Sequence, residues 1–171
     1  MKILYFGSVF SPYQNSFWKE CEKYCEIESL YLSAQQQGHQ WNLPGKDNVI
    51  NLNYYKNKIG KQYIEEAANM SIFADRKFDF LLSSNCLEHI ANPIKAMSEW
   101  KRITSGKIIL LLPRKDFNFD HKRPITLFEH LVDDFNNDID ENDLTHLDEI
   151  LSLHDLDLDL PAGSLEQFHQ R

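Results

Sequence analysis

Short apolar runs alternate with amphipathic stretches over the first two thirds of the chain. The apolar runs are MKILYFGS (1–8), EIESLYL (26–32), VINLNYY (49–55), FDFLLSS (78–84) and KIILLLP (107–113). The last two are nearly continuous, which is typical of strands buried in a parallel sheet. Helical spacing of apolar residues occurs in 11–24, 60–73 and 92–103. The alternation predicts an α/β fold, a Rossmann-like, doubly wound and mostly parallel sheet of about five strands.

The helix before the last predicted strand has clear boundary signals. Asn92 and Pro93 supply an N-cap and a first-turn proline, which are favoured at helix starts. Ile94 and Trp100 lie on one helical face. Gly106 is predicted to end this helix.

The chain after residue 125 is helical and acidic in character. Residues 125–135 and 143–156 have helical spacing, and residues 132–163 contain eleven acids but no Lys or Arg. Such a stretch is usually a solvated face and less often a partner-binding tail. We expect a single domain over 1–171. Within it, 1–50 form the first βαβ unit, 51–125 the central sheet and 126–171 an acidic helical segment.

Composition excludes some classes of protein. A net charge of −8 argues against a nucleic-acid partner, because phosphate binding needs a basic face. No apolar run approaches the roughly 20 residues that span a bilayer. Cys21, Cys25 and Cys86 form no CxxC pair and follow no signal peptide, which favours a cytoplasmic location. We expect no metal site, because CEKYC lacks further ligands.

Polar residues follow the strand 78–84 directly, where ligands bind in an open parallel sheet. We therefore interpret Ser84 and Asn85 as pocket residues, with Glu88 or His89 as a charge or proton-transfer group. The alternative is that they complete a turn and that His89 packs under the next helix. Gly7, at the end of the first strand, could host a carboxylate or phosphate, but a plain turn is equally compatible.

Histidines and acids also gather late in the chain, in Asp120–His121, Glu129–His130, His146 and His154–Asp155. They could form a metal site or an acid/base centre, although their spacing matches no standard metal motif. We expect His154 to lie on the surface. His121 and His130 are equally compatible with a pocket and with a surface position.

Three blocks of sequence resemble a known family. FDFLLSSNCLEHIANPIKAMSEWKRI (78–103), KIILLLPRKDFNFDHKRPITLFEHLVDDF (107–135) and DLTHLDEILSLHDLDLDLPAGSLEQF (143–168) are similar to class I S-adenosylmethionine-dependent methyltransferases of the type 11-like group. The resemblance extends from about Asn53 to Arg171. It implies a Rossmann-like sheet that binds S-adenosylmethionine across the carboxyl ends of its first strands.

The resemblance also implies roles for individual residues. Gly7 would meet the methionine moiety, Glu28 or a neighbour the ribose, and Ser84 with Asn85 the floor of the site. Asn69 in EEAANMS takes the place of an Asp expected near the adenine. The candidate bases are His89 and His121. The candidate substrate residues are Glu88, Arg114, Asp120 and His130, for a small-molecule or carbohydrate-like acceptor.

The first 50 residues instead resemble the start of a family 4 GT-B glycosyltransferase, with a possible junction at 33–48. Only one glycine, in FGSVFSP, stands where methyltransferases carry a glycine-rich loop. Two alternatives to methyl transfer therefore stay open. One is a catalytically silent, methyltransferase-like interaction module, and the other is a glycosyltransferase-related protein of surface-polysaccharide synthesis.

Overall fold

The core of the molecule is a parallel β-sheet. The computed structural model describes residues 1–7, 17, 20–31 and 61–170. The strands are β1 (Lys2–Gly7), β2 (Glu26–Tyr31), β3 (Lys61–Ile64), β4 (Phe78–Ser84) and β5 (Thr104–Leu111). Their spatial order is β3-β2-β1-β4-β5, and every pairing is parallel. The predicted Rossmann-like α/β class is confirmed.

Four α-helices after β4 lie wholly within the described residues. They are α1 (Pro93–Ile103), α2 (Phe128–Asn136), α3 (Leu147–Leu153) and α4 (Leu165–His169). The predicted start of α1 is confirmed, because the Asn92 side chain accepts a hydrogen bond from Lys95 N at 3.0 Å. None of the helices in this part of the chain is both long and apolar enough to span a membrane.

Trp100 connects α1 to the sheet and to the loop after β3. Its side chain is fully buried, and its ring centroid lies 4.9 Å from that of Phe6 on β1. Its indole Nε1 donates to the carbonyl of Ala67 at 3.2 Å, so the one polar atom of the side chain is satisfied. Apolar contact and a directional bond therefore fix α1 over β1 and β4.

Two predictions about local structure are wrong. Residues 60–73 were expected to form a helix, but Lys61–Ile64 is strand β3 and turns follow it. Parallel pairing with β2 outweighs the helical spacing here, because strand formation depends on cross-strand contacts more than on local pattern. Gly106 does not end α1, which stops at Ile103, but lies inside β5.

Several predicted features lie outside the described residues. These are the strand at 49–55, the junction at 33–48 and most of the helix at 11–24. Of that last helix, Phe17, Glu20 and Cys21 are described, and all three are helical.

The helix α2 is joined to α1 by a buried amide. At its end Asp138 adopts a positive φ of 52°, and Ile139 N donates to Asp134 O at 3.0 Å, as in a Schellman motif. Asn92 Nδ2 donates to the carbonyls of Asp134 (3.1 Å) and Ile139 (3.4 Å). The N-cap of α1 thus also holds the end of α2, so the acidic segment packs against the sheet domain.

Candidate functional site at the carboxyl edge of the sheet

All five strands end in register along one edge. Gly7 pairs with Tyr31 on one side and with Ser84 on the other, and Ser84 pairs in turn with Leu111. The structure therefore brings together Gly7 and Ser84, which are distant in the sequence. A residue without a side chain beside one with a small side chain is an arrangement that lets a flat ligand approach the backbone at such an edge.

Asn85 turns the chain sharply away from β4. It is exposed and has a positive φ of 47°, a conformation that Asn tolerates better than most residues. Its N–H donates to Leu111 O at 3.0 Å, which fixes the turn against the end of β5. Positive φ values in non-glycine residues cluster at functional sites, so Asn85 is the best-supported polar candidate at this edge.

The turn after Asn85 contains the next two candidates. Glu88 and His89 lie in a 3-10 turn (Leu87–His89), and Glu88 Oε1 is 3.9 Å from His89 Nε2. The His89 side chain is 49% exposed, so packing under α1 is not its role. Cys86 is completely buried, and burial together with the charge of Glu88 raises the pKa of its thiol. Cys86 is therefore a core residue.

Asn69 lies in the loop after β3, over the side of α1. It lines a cleft of about 560 Å³ together with Lys95, Ser98, Glu99 and other residues of α1 and the loop. Neither Gly7 nor Ser84 lines this cleft. Asn69 is thus not in the same concavity as the Gly7–Ser84 pair.

Arg102 holds that loop on α1. Its guanidinium donates to the carbonyls of Met70 and Phe73, both at 2.9 Å, and to Asp75 and Glu99. Glu99 in turn accepts from Met70 N at 3.0 Å. The loop after β3 is therefore fixed by charge-assisted bonds, which are stronger than neutral ones.

Glu28 does not reach the carboxyl edge, so its expected contact with a ribose is not supported. It lies in the middle of β2, and its side chain is 1% exposed. Its carboxylate binds Lys2 at 3.3 Å and Lys77 at 2.7 Å. Burial raises the pKa of Glu28, but Lys77, Tyr63 and Lys2 outweigh it, and the pKa is lowered overall. The role of Glu28 is structural.

The loop after β5 carries Arg114, Asp120 and His121. Arg114 is exposed and pairs with Asp116 at 3.0 Å. His121 Nδ1 lies 3.1 Å from the carbonyl of Asn118, which can only accept, so Nδ1 carries the hydrogen. The lone pair of the neutral ring is then on Nε2, 3.6 Å from Asp155 Oδ2. An imidazolium formed there would be stabilised by Asp155, as a general base requires.

His154 was expected on the surface, and this prediction is wrong. Its side chain is 6% exposed and lies between the rings of Phe119 and Phe168. The sequence gives no sign of this, because the two rings come from segments 49 positions apart, residues 119 and 168. Only the packing of the acidic segment on the loop after β5 brings them together.

His130 lies on α2 beside a second histidine. Its Nε2 is 2.9 Å from Nε2 of His146 and 3.5 Å from Asp134 Oδ2. One ring therefore donates to the other. Within residues 1–7, 17, 20–31 and 61–170, no group of three or more His, Cys, Asp or Glu side chains is arranged to hold a metal ion.

Sequence reasoning missed Glu66 and Glu141. Glu66 follows β3, and the expected helix at 60–73 concealed its position at the carboxyl edge. Loss of solvation raises the pKa of Glu141, and the charges of Glu66 and Asp140 and a hydrogen bond with Glu66 raise it further. No local signal marks these two residues, because the strand before Glu66 exists through its pairing with β2.

Comparison with known proteins agrees with this architecture. The family model of the methyltransferase domain matches residues 42–111, a range that includes β3, β4, α1 and β5. The predicted resemblance to S-adenosylmethionine-dependent methyltransferases is confirmed over this range, and the same match supports S-adenosylmethionine as the cofactor. No curated protein is significantly similar to the chain.

Two solved structures are similar to this chain. One is a SAM-dependent methyltransferase from Aquifex aeolicus, with 19% identity, a TM-score of 0.45, and coverage of 67% of this chain and 57% of the other. The second is a protein named as a methyltransferase from an antibiotic biosynthesis pathway of Anabaena variabilis ATCC 29413. It has 16% identity, a TM-score of 0.45, and coverage of 90% and 53%.

The chain spans little more than half the length of these two proteins. The resemblance of residues 1–50 to a glycosyltransferase is not borne out by the comparisons.

The residues at the carboxyl edge fit the chemistry of S-adenosylmethionine. Gly7 and Ser84 place no bulky side chain at the paired strand ends, and Asn85 provides an amide that can donate and accept. Glu65 and Glu66, directly after β3, are acceptors suited to ribose hydroxyls. Asp120 and His121, in the loop after β5, contact the acidic segment instead.

Proposed function

We propose that the chain binds S-adenosylmethionine at the carboxyl edge of its sheet and transfers the methyl group to an oxygen or nitrogen of a small molecule. The observation that carries this proposal is the alignment of Gly7 with Ser84 at the shared end of β1 and β4, within a fold whose residues 42–111 match a methyltransferase domain. A carbohydrate-like acceptor and a cytoplasmic location belong to the same proposal.

When bound, S-adenosylmethionine supplies an activated methyl group, so the protein mainly has to position the two reactants. Gly7, Ser84 and Asn85 would hold the cofactor, with Asn69 or Glu66 on the side of β3. His121 is one candidate base, because Asp155 Oδ2 lies 3.6 Å from its Nε2 and would stabilise the imidazolium that forms when the ring takes up a proton. Asp155 is suited to this, since the hydrogen bond from Lys122 lowers the pKa of its carboxyl and keeps it ionised. His89 is the second candidate.

Isothermal titration of the chain with S-adenosylmethionine and with its demethylated product tests cofactor binding. Ser84→Phe places a ring at the strand end and is expected to weaken binding about tenfold or more. Ser105→Phe is the matched control, because Ser105 is exposed on β5 at the opposite edge of the sheet. The control should leave the dissociation constant unchanged within about twofold.

The outcome separates the proposal from its main alternative. A folded chain that releases no heat with millimolar cofactor would overturn the proposal and favour a catalytically silent, methyltransferase-like interaction module. The observation that favours this alternative is the single glycine of FGSVFSP. If the cofactor binds, release of demethylated cofactor across a panel of small-molecule acceptors identifies the substrate class.

A further inference from the structure

His130 and His146 direct the same ring nitrogen at each other. Their Nε2 atoms are 2.9 Å apart, and the two rings are nearly perpendicular, with an interplanar angle of 79°. Only one hydrogen fits between the two nitrogens, so one Nε2 donates it and the other provides a lone pair. Two imidazole nitrogens that converge on one point are also a ligand pair for a transition metal.

The separation of the two nitrogens is close to that of two ligands on one ion. Zn–N bonds of about 2.0–2.1 Å in tetrahedral geometry place two ligand nitrogens roughly 3.3 Å apart. From the observed 2.9 Å the rings of His130 and His146 would separate by only about 0.4 Å to reach that spacing. The side chain of His130 is 41% exposed, so it has room for this rotation and an ion can enter from solvent.

The backbone that carries the two histidines is held in place on both sides. His130 lies on α2, which the amide of Asn92 joins to α1. His146 directly precedes α3, and its carbonyl accepts a helical hydrogen bond of α3 at 2.9 Å. The turn before it is fixed by Asp143, whose carboxylate accepts from the main-chain N and the hydroxyl of Thr145 at 3.2 and 2.7 Å. The pair is therefore preorganised, as a metal site requires.

Carboxylates lie near both rings. Asp134 Oδ2 is 3.5 Å from His130 Nε2. The pKa of Asp143 is lowered, chiefly by its hydrogen bonds with Thr145 and further by His146 and His130, so this carboxylate stays ionised beside the pair. Residues 132–163 contain no Lys or Arg that could neutralise these acids from within the same segment. The local charge therefore favours a cation at the two nitrogens.

We propose that His130 and His146 form a two-histidine clamp that binds one divalent transition-metal ion, such as Zn²⁺ or Ni²⁺, between their Nε2 atoms. The ion takes the place of the shared hydrogen, which moves to Nδ1 of the same ring, so two neutral imidazoles bind through lone pairs and no electron is exchanged. Solvent completes the coordination, because groups of three or more protein ligands are absent from the described residues. The clamp does not depend on the proposed methyl transfer.

Isothermal titration of the untagged chain with ZnCl₂ and, separately, with NiCl₂ tests the clamp. We expect one ion per chain and a dissociation constant on the order of 10 μM, because two imidazoles are half the ligand set of a structural zinc site. His146→Gln should weaken binding at least about tenfold, since one of the two ligands is lost. His169→Gln removes an exposed histidine of α4 and should bind as the wild type does. MgCl₂ should release no heat, because Mg²⁺ prefers oxygen ligands.

Two results would overturn the clamp: no binding of either ion at about 1 mM, or equal affinity of His146→Gln and the wild type. Should His146→Gln fail to fold, nuclear magnetic resonance of the wild type with ¹⁵N-labelled imidazoles provides the test. Addition of Zn²⁺ should then shift the Nε2 resonances of both His130 and His146, and a shift confined to other histidines contradicts the proposal. Zn²⁺ should also raise the unfolding temperature of the wild type, because it binds only the folded pair.

Discussion

The carboxylate of Glu28 is buried, and its charge is balanced by ion pairs with Lys2 and Lys77. Replacement by Gln keeps its shape but removes the charge that binds Lys2 and Lys77. We expect Glu28→Gln to lower the free energy of unfolding by about 1.5–3 kcal/mol at neutral pH, the usual range for hydrogen bonds to charged groups. Urea denaturation followed by circular dichroism measures this change.

The pH dependence gives a second measurement of the same carboxylate. Because the pKa of Glu28 is lowered in the folded state, its contribution is complete above its unfolded pKa and is lost as the pH falls through the folded value. The stability difference between wild type and Glu28→Gln should therefore disappear only in acid. Glu26→Gln is the control. It removes an exposed partner of the same Lys2 and should cost less than about 0.5 kcal/mol.

Gly106 is required by close approach of the neighbouring strand. The register shifts between Phe78 and Phe80, so that β5 bulges opposite Asp79. A Cβ at position 106 would lie 2.2 Å from the carbonyl oxygen of Asp79, which is backbone and cannot move aside alone. Gly106→Ala should therefore lower the free energy of unfolding by about 1–3 kcal/mol in thermal or urea unfolding.

Lys107→Ala is the control for this position, since Lys107 is the next residue of the same strand and is exposed. Lys107→Ala should change the free energy of unfolding by no more than about 0.5 kcal/mol. Equal stability of Gly106→Ala and Lys107→Ala would show that the bulge does not constrain position 106.

At the scale of elements, Asn92 couples two helices. Its oxygen caps α1, and its amide nitrogen binds the carbonyls of Asp134 and Ile139 at the end of α2. Asn92→Ala removes both the cap and the two bonds to α2 in a buried position. We expect it to lower the free energy of unfolding by about 2–3 kcal/mol. Asn92→Ser keeps a capping oxygen and should recover about 1 kcal/mol of that loss.

Chemical denaturation gives the stabilities of the two variants, and hydrogen exchange localises the change. In Asn92→Ser the protection of α2 should fall while the first turn of α1 remains protected. If both variants lose protection equally in α1 and α2, capping and docking are not separable and the two roles assigned to Asn92 are wrong.

The sequence predicts correctly those helices and strands whose signals lie within a few neighbouring residues. Asn92 and Pro93 define the start of α1, and the apolar runs of β4 and β5 define buried strands, because these signals act within a few residues. Residues 61–64 carry no such signal. Their strand exists because β2 offers a pairing edge, which is a tertiary effect that outweighs helical spacing.

The same division applies to the site. Gly7, Ser84 and Asn85 could be placed together from the sequence, because parallel strands end at a common edge. Glu28 and His154 could not be placed, since their surroundings are formed by residues distant in sequence. Burial of a charge or a histidine depends on which segments pack around it, and periodicity carries no information about that.

For the whole molecule, two parts of the fold depend on different forces. The sheet and α1 share an apolar core that includes Leu4, Phe6, Leu81 and Trp100. The acidic segment instead meets the loop after β5 largely through charge, in Lys122–Asp155 at 2.8 Å and Arg123–Glu149 at 2.7 Å. Salt screens partly exposed charges and leaves apolar burial intact or strengthened.

Raising the ionic strength should therefore loosen the acidic segment before the sheet. In about 1 M NaCl the screening length falls to roughly 3 Å, and amide protection across residues 143–170 should decrease while that of β1 and β4 does not. Arg123→Gln should lower the same protection already at low salt, because Glu149 and Asp120 lose their shared cation. Lys107→Gln removes an equal charge from exposed β5 and should leave the segment protected. Parallel loss of protection in sheet and segment would mean that the two parts unfold as one unit.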